Sequence, residues 1–164
     1  MFSNIVPATD SDREQIMNLY KEQLGREFCA WDEDYPSEDT IDFDLSRDAL
    51  FVLKDDQEGS IIAAISIDFD ENVEKLECWN KDLFPGGELA RLAVTPSMQG
   101  RGIARQMLQY GMKALKERGY KSIHFLVNKY NEPALKSYSK FNFDVAGECH
   151  LYDQDFICYE KELV

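Results

Sequence analysis

The chain has 164 residues, a formal net charge of −13, and 44% hydrophobic and 12% aromatic residues. This composition excludes a disordered chain and predicts one packed domain over residues 1–164. The net negative charge argues against nucleic acid as a partner. No apolar run approaches the roughly 20 residues that a membrane helix needs, which argues against a membrane partner. The first ten residues lack the regions of an export signal, and the four cysteines show no zinc-ligand spacing, so we expect a cytoplasmic protein with reduced thiols.

Along the chain, the apolar spacing alternates between the periods of strands and helices. Gly25 and Gly119 mark two predicted helix ends, and Asn142 stands at a third, where asparagine is the next-best residue after glycine for a left-handed cap. In order, the sequence predicts a strand (2–6), a helix ending at 25, a loop (28–36), a short helix capped by Ser37, an antiparallel pair (49–55 and 60–70), an irregular acidic connection (70–87), a strand (88–94), a helix (102–118), a strand (122–127), a helix opening at 131–133, and a final hairpin (143–150 and 156–163).

This element order, β α α β β β α β α β β, predicts the fold class. Helices interspersed with mostly antiparallel strands indicate a single α/β (α+β) domain, with a mixed sheet flanked by about four helices. The final hairpin also offers an edge through which a homodimer could form, although the sequence alone does not show one.

Positive charge is concentrated in one part of the chain. Residues 91–140 carry a net charge of +8, whereas residues 1–90 carry −16 and residues 141–164 carry −5. A basic block in an acidic protein indicates one anionic ligand held on one side. For four of the basic residues we favour the simpler interpretation of a solvated helix face and helix C-terminal end: Lys113, Lys116, Arg118 and Lys121.

A glycine-bearing turn, QGRGIA at residues 99–104, joins a predicted strand to a predicted helix. Gly100 and Gly102 let the backbone approach a ligand closely, and the helix supplies unpaired N–H groups and the positive end of its dipole. Arg101 and Arg105 add charge. No Gly-Lys-Ser/Thr follows, so this is not a nucleotide P-loop, and the lone Gly-x-Gly is not a dinucleotide fingerprint. The turn predicts a phosphate site, with a purely structural turn as the alternative.

Two spaced motifs resemble those of the GCN5-related N-acetyltransferase (GNAT) superfamily. The family motif Gln/Arg-x-x-Gly-x-Gly/Ala stands here as the turn at residues 99–104, after the strand sequence Leu-Ala-Val at residues 92–94. The family motif Asn-x-x-Ala-x-x-x-Tyr begins here at Asn131 and ends at Tyr138. The motifs lie in the expected order about 30 residues apart, which makes the match more specific than either motif alone.

The resemblance implies a GNAT-like fold that binds acetyl-coenzyme A as the acetyl donor. In this family a bulge splays two parallel strands, so that the thioester enters between them and backbone groups at the strand end bind the pantetheine arm. An N–H at or near Leu92 would polarise the acetyl carbonyl as an oxyanion hole does. The implied donor-binding residues are Leu92, Ala93 and Val94 on the arm, Gln99, Gly100, Arg101, Gly102, Ile103 and Ala104 on the pyrophosphate, and Asn131 on the arm or adenylate end. No metal is predicted, because the two histidines show no ligand spacing.

The resemblance also implies two catalytic residues. Tyr138 would face the leaving sulfur and return its proton as general acid, with a core aromatic as the alternative. An alkylamine acceptor, with a pKa of about 10.4, is mostly protonated near neutral pH and needs a base. Glu88 lies four residues before Leu92, where some family members place a strand glutamate that acts as base directly or through water. The alternative for Glu88 is a solvent-facing residue at the start of the strand. Asn131 could also serve as a helix cap.

The acceptor is less constrained by the sequence. In the family it enters opposite the coenzyme, along the first helices and loops, where residues 31–44 of this chain are acidic and aromatic. Such a cleft would attract an amine with more than one positive charge, such as a polyamine, an aminoglycoside-like molecule or a lysine-bearing peptide. The alternative is an acidic, solvated surface.

The sequence therefore predicts an N-acetyltransferase that moves an acetyl group from acetyl-coenzyme A to a primary amine by direct attack. A non-catalytic acyl-coenzyme A-binding or regulatory module on the same fold is the alternative, because a fold does not fix a function.

Overall fold

The computed structural model describes residues 4–164, except for the side chains of Ser137 and Ser139. Within these residues the strands are β1 (Ile5–Pro7), β2 (Leu50–Lys54), β3 (Ile61–Asp68), β4 (Gly86–Val94), β5 (Ser122–Asn128), β6 (Asp144–Leu151) and β7 (Gln154–Glu162). The α-helices are α1 (Arg13–Lys21), α2 (Glu38–Ser46), α3 (Glu71–Glu74), α4 (Ile103–Glu117) and α5 (Glu132–Ser139). The predicted strand at residues 2–6 begins outside the described residues, and its described part forms β1.

The strands form a mixed, mostly antiparallel sheet in the order β1-β2-β3-β4-β5-β7-β6. Antiparallel pairs join β1 to β2, β2 to β3, β5 to β7 and β6 to β7, whereas β4 and β5 are parallel. The predicted fold class, a mixed α/β architecture with this sheet type, is confirmed.

The acidic connection at residues 70–87 contains more regular structure than the sequence predicted. A one-turn helix, α3, begins where the Asp70 carboxylate accepts the N–H of Asn72, and a short 3-10 turn follows where the Asn80 side chain accepts the N–H of Asp82. These caps satisfy N–H groups that would otherwise have no partner at a helix start. The described residues therefore contain five α-helices, not about four.

The left-handed conformation is found at the three predicted residues, but the helix predicted to end at Gly25 already ends at Lys21. Beyond that point Gln23 and Leu24 donate to the carbonyls three residues back, which is a turn and not an α-helix. Gly25, Gly119 and Asn142 have φ values of 79°, 92° and 60°. The final hairpin turns through Tyr152 and Asp153, both with positive φ, as a tight two-residue turn between right-twisted strands requires.

The described residues fall into two compact units. The first comprises residues 4–68 and 89–113, and α1 and α2 supply much of its apolar core. The second comprises residues 69–88 and 114–164 and contains an aromatic cluster. The buried core of the first unit is Ile16, Leu19, Tyr20, Ile41, Leu50, Val52, Ile61, Ala64 and Ala93. The aromatic cluster of the second is Phe125, Tyr138, Phe143 and Tyr159.

Candidate functional site

Strand β4 contains a residue in the left-handed region. Arg91 has a φ of 52°, which is rare for a residue other than glycine and is typical of a local irregularity that redirects the following backbone groups. The irregularity immediately precedes Leu92, Ala93 and Val94, the predicted contacts of the pantetheine arm. A backbone conformation of this kind persists only where the surroundings hold it in place.

A buried polar network, which we call the Arg91 network, provides that support. Arg91 Nη2 donates to both carboxylate oxygens of Asp44 at 2.7 and 3.0 Å, and Nε donates to Asp44 Oδ2 at 3.2 Å. Nη1 donates to Asp68 Oδ2 at 3.1 Å and to the Tyr35 hydroxyl at 3.0 Å. Asp44 also accepts from Ser66 Oγ at 2.7 Å and from Arg47 at 2.8 Å.

Arg91 itself is charged throughout the physiological pH range, whereas burial raises the pKa of Asp44 above its ordinary value. Burial by itself lowers the pKa of Arg91, but Tyr35, Asp44 and Asp68 outweigh it and raise the pKa above its ordinary value. Arg91 lies outside the motifs from which the site residues were predicted. A single cation between apolar residues of a predicted strand is the signal that could have identified it, because such a residue needs a buried partner.

The network also corrects the prediction about the acidic segment at residues 31–44. Asp44 is fully buried in this network, so it cannot contribute negative charge to an open acceptor cleft. Glu38 and Asp42 form ion pairs with Arg13 at the surface. Asp32 accepts the N–H of Asp34 and shapes the loop. The remaining carboxylates of the segment, Glu33, Asp34 and Asp39, are exposed.

The end of β4 is held by side-chain amides. The carbonyl of Val94 accepts Gln23 Nε2 at 3.0 Å and Gln99 Nε2 at 3.3 Å, and Arg26 donates to Gln99 Oε1. Gln99 therefore ties the start of the glycine turn to the strand that precedes it.

The glycine turn has the conformation that a phosphate-binding turn needs. Gly100 and Gly102 have φ values of 77° and 78°, and a Cβ built at either residue would meet no heavy atom within 4 Å. Helix α4 begins at Ile103, and the first turn of an α-helix leaves N–H groups without intrahelical partners. Arg101 and Arg105 are exposed on this turn. The turn thus presents amides and positive charge toward open space.

Tyr138 lies on α5 with its ring in the aromatic cluster of the second unit. Its ring centroid is 4.8 Å from that of Phe125 and 6.3 Å from that of Tyr159. Burial raises the pKa of Tyr138 to about 12, so its hydroxyl keeps its proton at neutral pH. This geometry fits a core aromatic and a proton donor equally well.

Glu88 and Asn131 belong to the same unit as Tyr138. Glu88 is only 7% exposed and is the third residue of β4, so the alternative of a solvent-facing residue at the strand start is wrong. Asn131 Oδ1 accepts the N–H of Ala134 at 3.2 Å, which makes it the cap of α5. A cap uses the carbonyl oxygen of the side chain and leaves its NH₂ group for a ligand.

The structure thus brings the predicted donor-binding residues 92–94 and 99–104 together in the first unit. It places Glu88, Asn131 and Tyr138 in the second unit. The fold class is the one that the sequence motifs indicated, the acyltransferase type. Its features here are the sheet order, the left-handed residue in β4 and the glycine turn that opens α4.

Comparison with known proteins shows the family. The model of the acetyltransferase (GNAT) family matches residues 13–143, and the chain belongs to this family. One relative is YhbS of Escherichia coli strain K12, an uncharacterised N-acetyltransferase. The two sequences are 32% identical over 107 residues, which cover 63% of this chain and 56% of that protein. A further 59-residue match is 36% identical to a mycothiol acetyltransferase of Thermomonospora curvata and covers 36% of this chain and 20% of that protein. The chain thus matches only part of the length of these relatives.

Solved structures of acetyltransferases share the fold at low identity. An N-acetyltransferase from Staphylococcus aureus Mu50 has a TM-score of 0.73 and 22% identity, with 98% of both chains covered. The PaiA N-acetyltransferase from Thermoplasma acidophilum, solved with coenzyme A, has a TM-score of 0.72 and 19% identity and covers 96% of this chain and 97% of that one. Among the described residues, no helix is long and apolar enough to cross a membrane.

Proposed function

We propose that this protein transfers the acetyl group of acetyl-coenzyme A to a primary amine. The observation that carries the proposal is the irregular β4 followed by the glycine turn, with left-handed residues at Arg91, Gly100 and Gly102. A redirected strand end offers backbone groups to the pantetheine arm, and the turn offers amides to the pyrophosphate. Family membership and the coenzyme A bound to the Thermoplasma acidophilum protein support this donor.

The reaction needs a base, an electrophilic contact and an acid. Glu88 takes a proton from the ammonium form of the acceptor, and the free amine attacks the acetyl carbonyl carbon. The N–H of Leu92 stabilises the negative charge that develops on the carbonyl oxygen. The C–S bond then breaks, and Tyr138 protonates the leaving thiolate. The second proton of the attacking nitrogen passes to the Tyr138 phenolate, directly or through water, which leaves a neutral amide and restores Tyr138. The proton of Tyr138 remains available for this step because burial raises its pKa to about 12.

The acceptor class follows from the charge of the chain. With a formal net charge of −13 and exposed carboxylates at Glu33, Asp34 and Asp39, the protein attracts cationic amines more strongly than neutral or anionic ones. The burial of Asp44 reduces the charge of this segment, so the preference rests on long-range attraction and should weaken as salt is added.

The packing of Tyr138 in the aromatic cluster is also compatible with one alternative, a module that binds acyl-coenzyme A without catalysis. A Tyr138→Phe variant distinguishes the two functions, because it keeps the ring and removes the hydroxyl. Acetyl-coenzyme A affinity is measured by calorimetry, and thiol release is measured with a panel of cationic, neutral and anionic amines. For the enzyme we expect unchanged affinity and a loss of about 10²-fold or more in kcat. Donor binding without turnover of any amine by the wild type would support the module.

A further inference from the structure

Three buried titratable side chains lie side by side on three neighbouring strands. Glu88 on β4 is in register with His124 on β5, and His124 is in register with Glu160 on β7. Residues in direct register point to the same face of a sheet, on strands about 4.8 Å apart. Glu88, His124 and Glu160 are only 7%, 3% and 7% exposed. They form one buried row on one face, which we call the Glu–His–Glu row.

The imidazole of His124 has its two nitrogens in different surroundings. Nε2 lies 2.6 Å from Glu74 Oε2, on helix α3. Nδ1 is directed at β4, because a Cβ built on Gly86 would lie 2.9 Å from it. Gly86 is two residues before Glu88 and on the same face of the strand. The Trp79 ring, with its centroid 4.7 Å away, covers the imidazole and holds its plane.

Glu74 connects this row to an open groove. The groove has a volume of about 870 Å³ and lies along the segment that joins β3 to β4. The side chain of Glu74 is 31% exposed, whereas that of His124 is 4% exposed. Both carboxylate oxygens of Glu160 accept the N–H of Asn80, at 3.1 and 3.2 Å, so Glu160 anchors the connecting segment. The charged and titratable residues lining the groove are Glu74, Lys75, Glu77, Lys81, His124 and Glu160.

We propose that His124 relays the proton taken up by Glu88 to Glu74 and so to water in the groove. This inference rests on the proposed function, in which Glu88 is the base. The O–H bond of protonated Glu88 breaks, directly or through one water, as a proton binds Nδ1 of His124. The N–H bond at Nε2 then breaks as that proton passes to Glu74, which releases it to water. Exchange of the remaining ring proton through water restores the starting form of the imidazole.

The chemistry of the reaction requires such a route. An ammonium acceptor becomes a neutral amide, and coenzyme A leaves as a neutral thiol, so each turnover releases one proton. Glu88 is nearly inaccessible to solvent and must lose its proton before it can serve the next acceptor. The hydroxyl of Tyr152 is a titratable group influenced by the charge of Glu88. Burial, Asp70 and Glu88 together raise the pKa of Tyr152. That hydroxyl keeps its proton at neutral pH and is a poor acceptor for a second one.

The test compares His124→Gln with His150→Gln in the full chain. Glutamine keeps a donor toward Glu74 and cannot take up a proton. His150 is the second of the two histidines, lies exposed on β6 and pairs with Asp155. We expect His124→Gln to lower kcat for an alkylamine about tenfold at pH 7, and less than twofold near pH 10, where the free amine needs little help from a base. Acetyl-coenzyme A affinity and the activity of His150→Gln should match the wild type.

A second variant, Glu74→Gln, keeps the proposal testable if His124→Gln fails to fold. It removes the proton acceptor at a partly exposed position, and we expect a similar loss at pH 7 that shrinks at high pH. A loss of equal size at every pH would show a structural role and overturn the relay, as would full activity of both variants. If the wild type itself acetylates no amine, the proposed function fails and the relay fails with it.

Discussion

Replacing Arg91 by methionine removes the charge at the centre of the Arg91 network and keeps an unbranched apolar stem. Five hydrogen bonds are lost, three of them to the fully buried Asp44. Removing one partner of a buried ion pair costs about 3–5 kcal/mol, because the other charge is left without compensation. Asp44 keeps Arg47 at 2.8 Å and Ser66 at 2.7 Å. We therefore expect the lower end, a loss of about 3 kcal/mol in the free energy of unfolding.

Urea denaturation followed by circular dichroism measures this loss. Arg13→Met is the matched control, because Arg13 also contacts three carboxylates, Asp10, Glu38 and Asp42, but does so at the surface. Surface ion pairs contribute little, so the control should be far less destabilised than Arg91→Met. The double variant Arg91→Met with Asp44→Leu should recover most of the loss, because the buried carboxylate that loses Arg91 is removed as well. A single Arg91→Met variant within about 1 kcal/mol of the wild type would refute this reasoning.

Three further substitutions test the turn, the tyrosine and a helix cap. Gly102→Ala places a Cβ at a φ of 78°, so we expect a loss of about 1–2 kcal/mol in the free energy of unfolding. We also expect weaker acetyl-coenzyme A binding by calorimetry. If neither quantity changed, the proposed role of the turn in binding the pyrophosphate would be contradicted. The pKa of Tyr138 is raised to about 12 in the folded chain, so the stability that it contributes below its unfolded pKa of about 10 is lost as pH rises through about 12. Tyr138→Phe should therefore lose less stability between pH 10 and 12 than the wild type in urea denaturation, and an equal loss would argue against a buried phenol. Ser37→Ala removes the cap of α2 and should cost about 1 kcal/mol with acetyl-coenzyme A affinity unchanged, whereas a change in affinity would show that α2 influences donor binding.

Local sequence signals predicted most of the elements and the glycine turn. The left-handed conformation of Gly25, Gly119 and Asn142 depends only on what these residue types tolerate, so it could be predicted, whereas the end of α1 at Lys21 could not. The turn at residues 99–104 was recognisable because its glycines, its helix start and its spacing from Tyr138 are all local or linear features. Its role in binding acetyl-coenzyme A, the single domain over residues 1–164, the homodimer and the cytoplasmic location remain predictions.

Features that depend on tertiary contacts could not be predicted in this way. Arg91 and Asp44 are 47 residues apart in sequence, and nothing local distinguishes Asp44 from the other acids of its segment. The Glu–His–Glu row exists only because of the register of β4, β5 and β7. The sequence indicates only that His124 and the second histidine do not have metal-ligand spacing, whereas the direction of the two ring nitrogens of His124 points to a further role.

The central claim, acetyl transfer to an amine, is tested most directly by incubating the wild type with acetyl-coenzyme A and a panel of amines. Thiol release is followed over time, and the product is identified by mass spectrometry. We expect thiol release that depends on the amine, with cationic amines as the best acceptors and a product that carries one added acetyl group. Glu88→Gln should slow this reaction by about 10²-fold or more near neutral pH. Binding of acetyl-coenzyme A without an acetylated product from any amine would contradict the account.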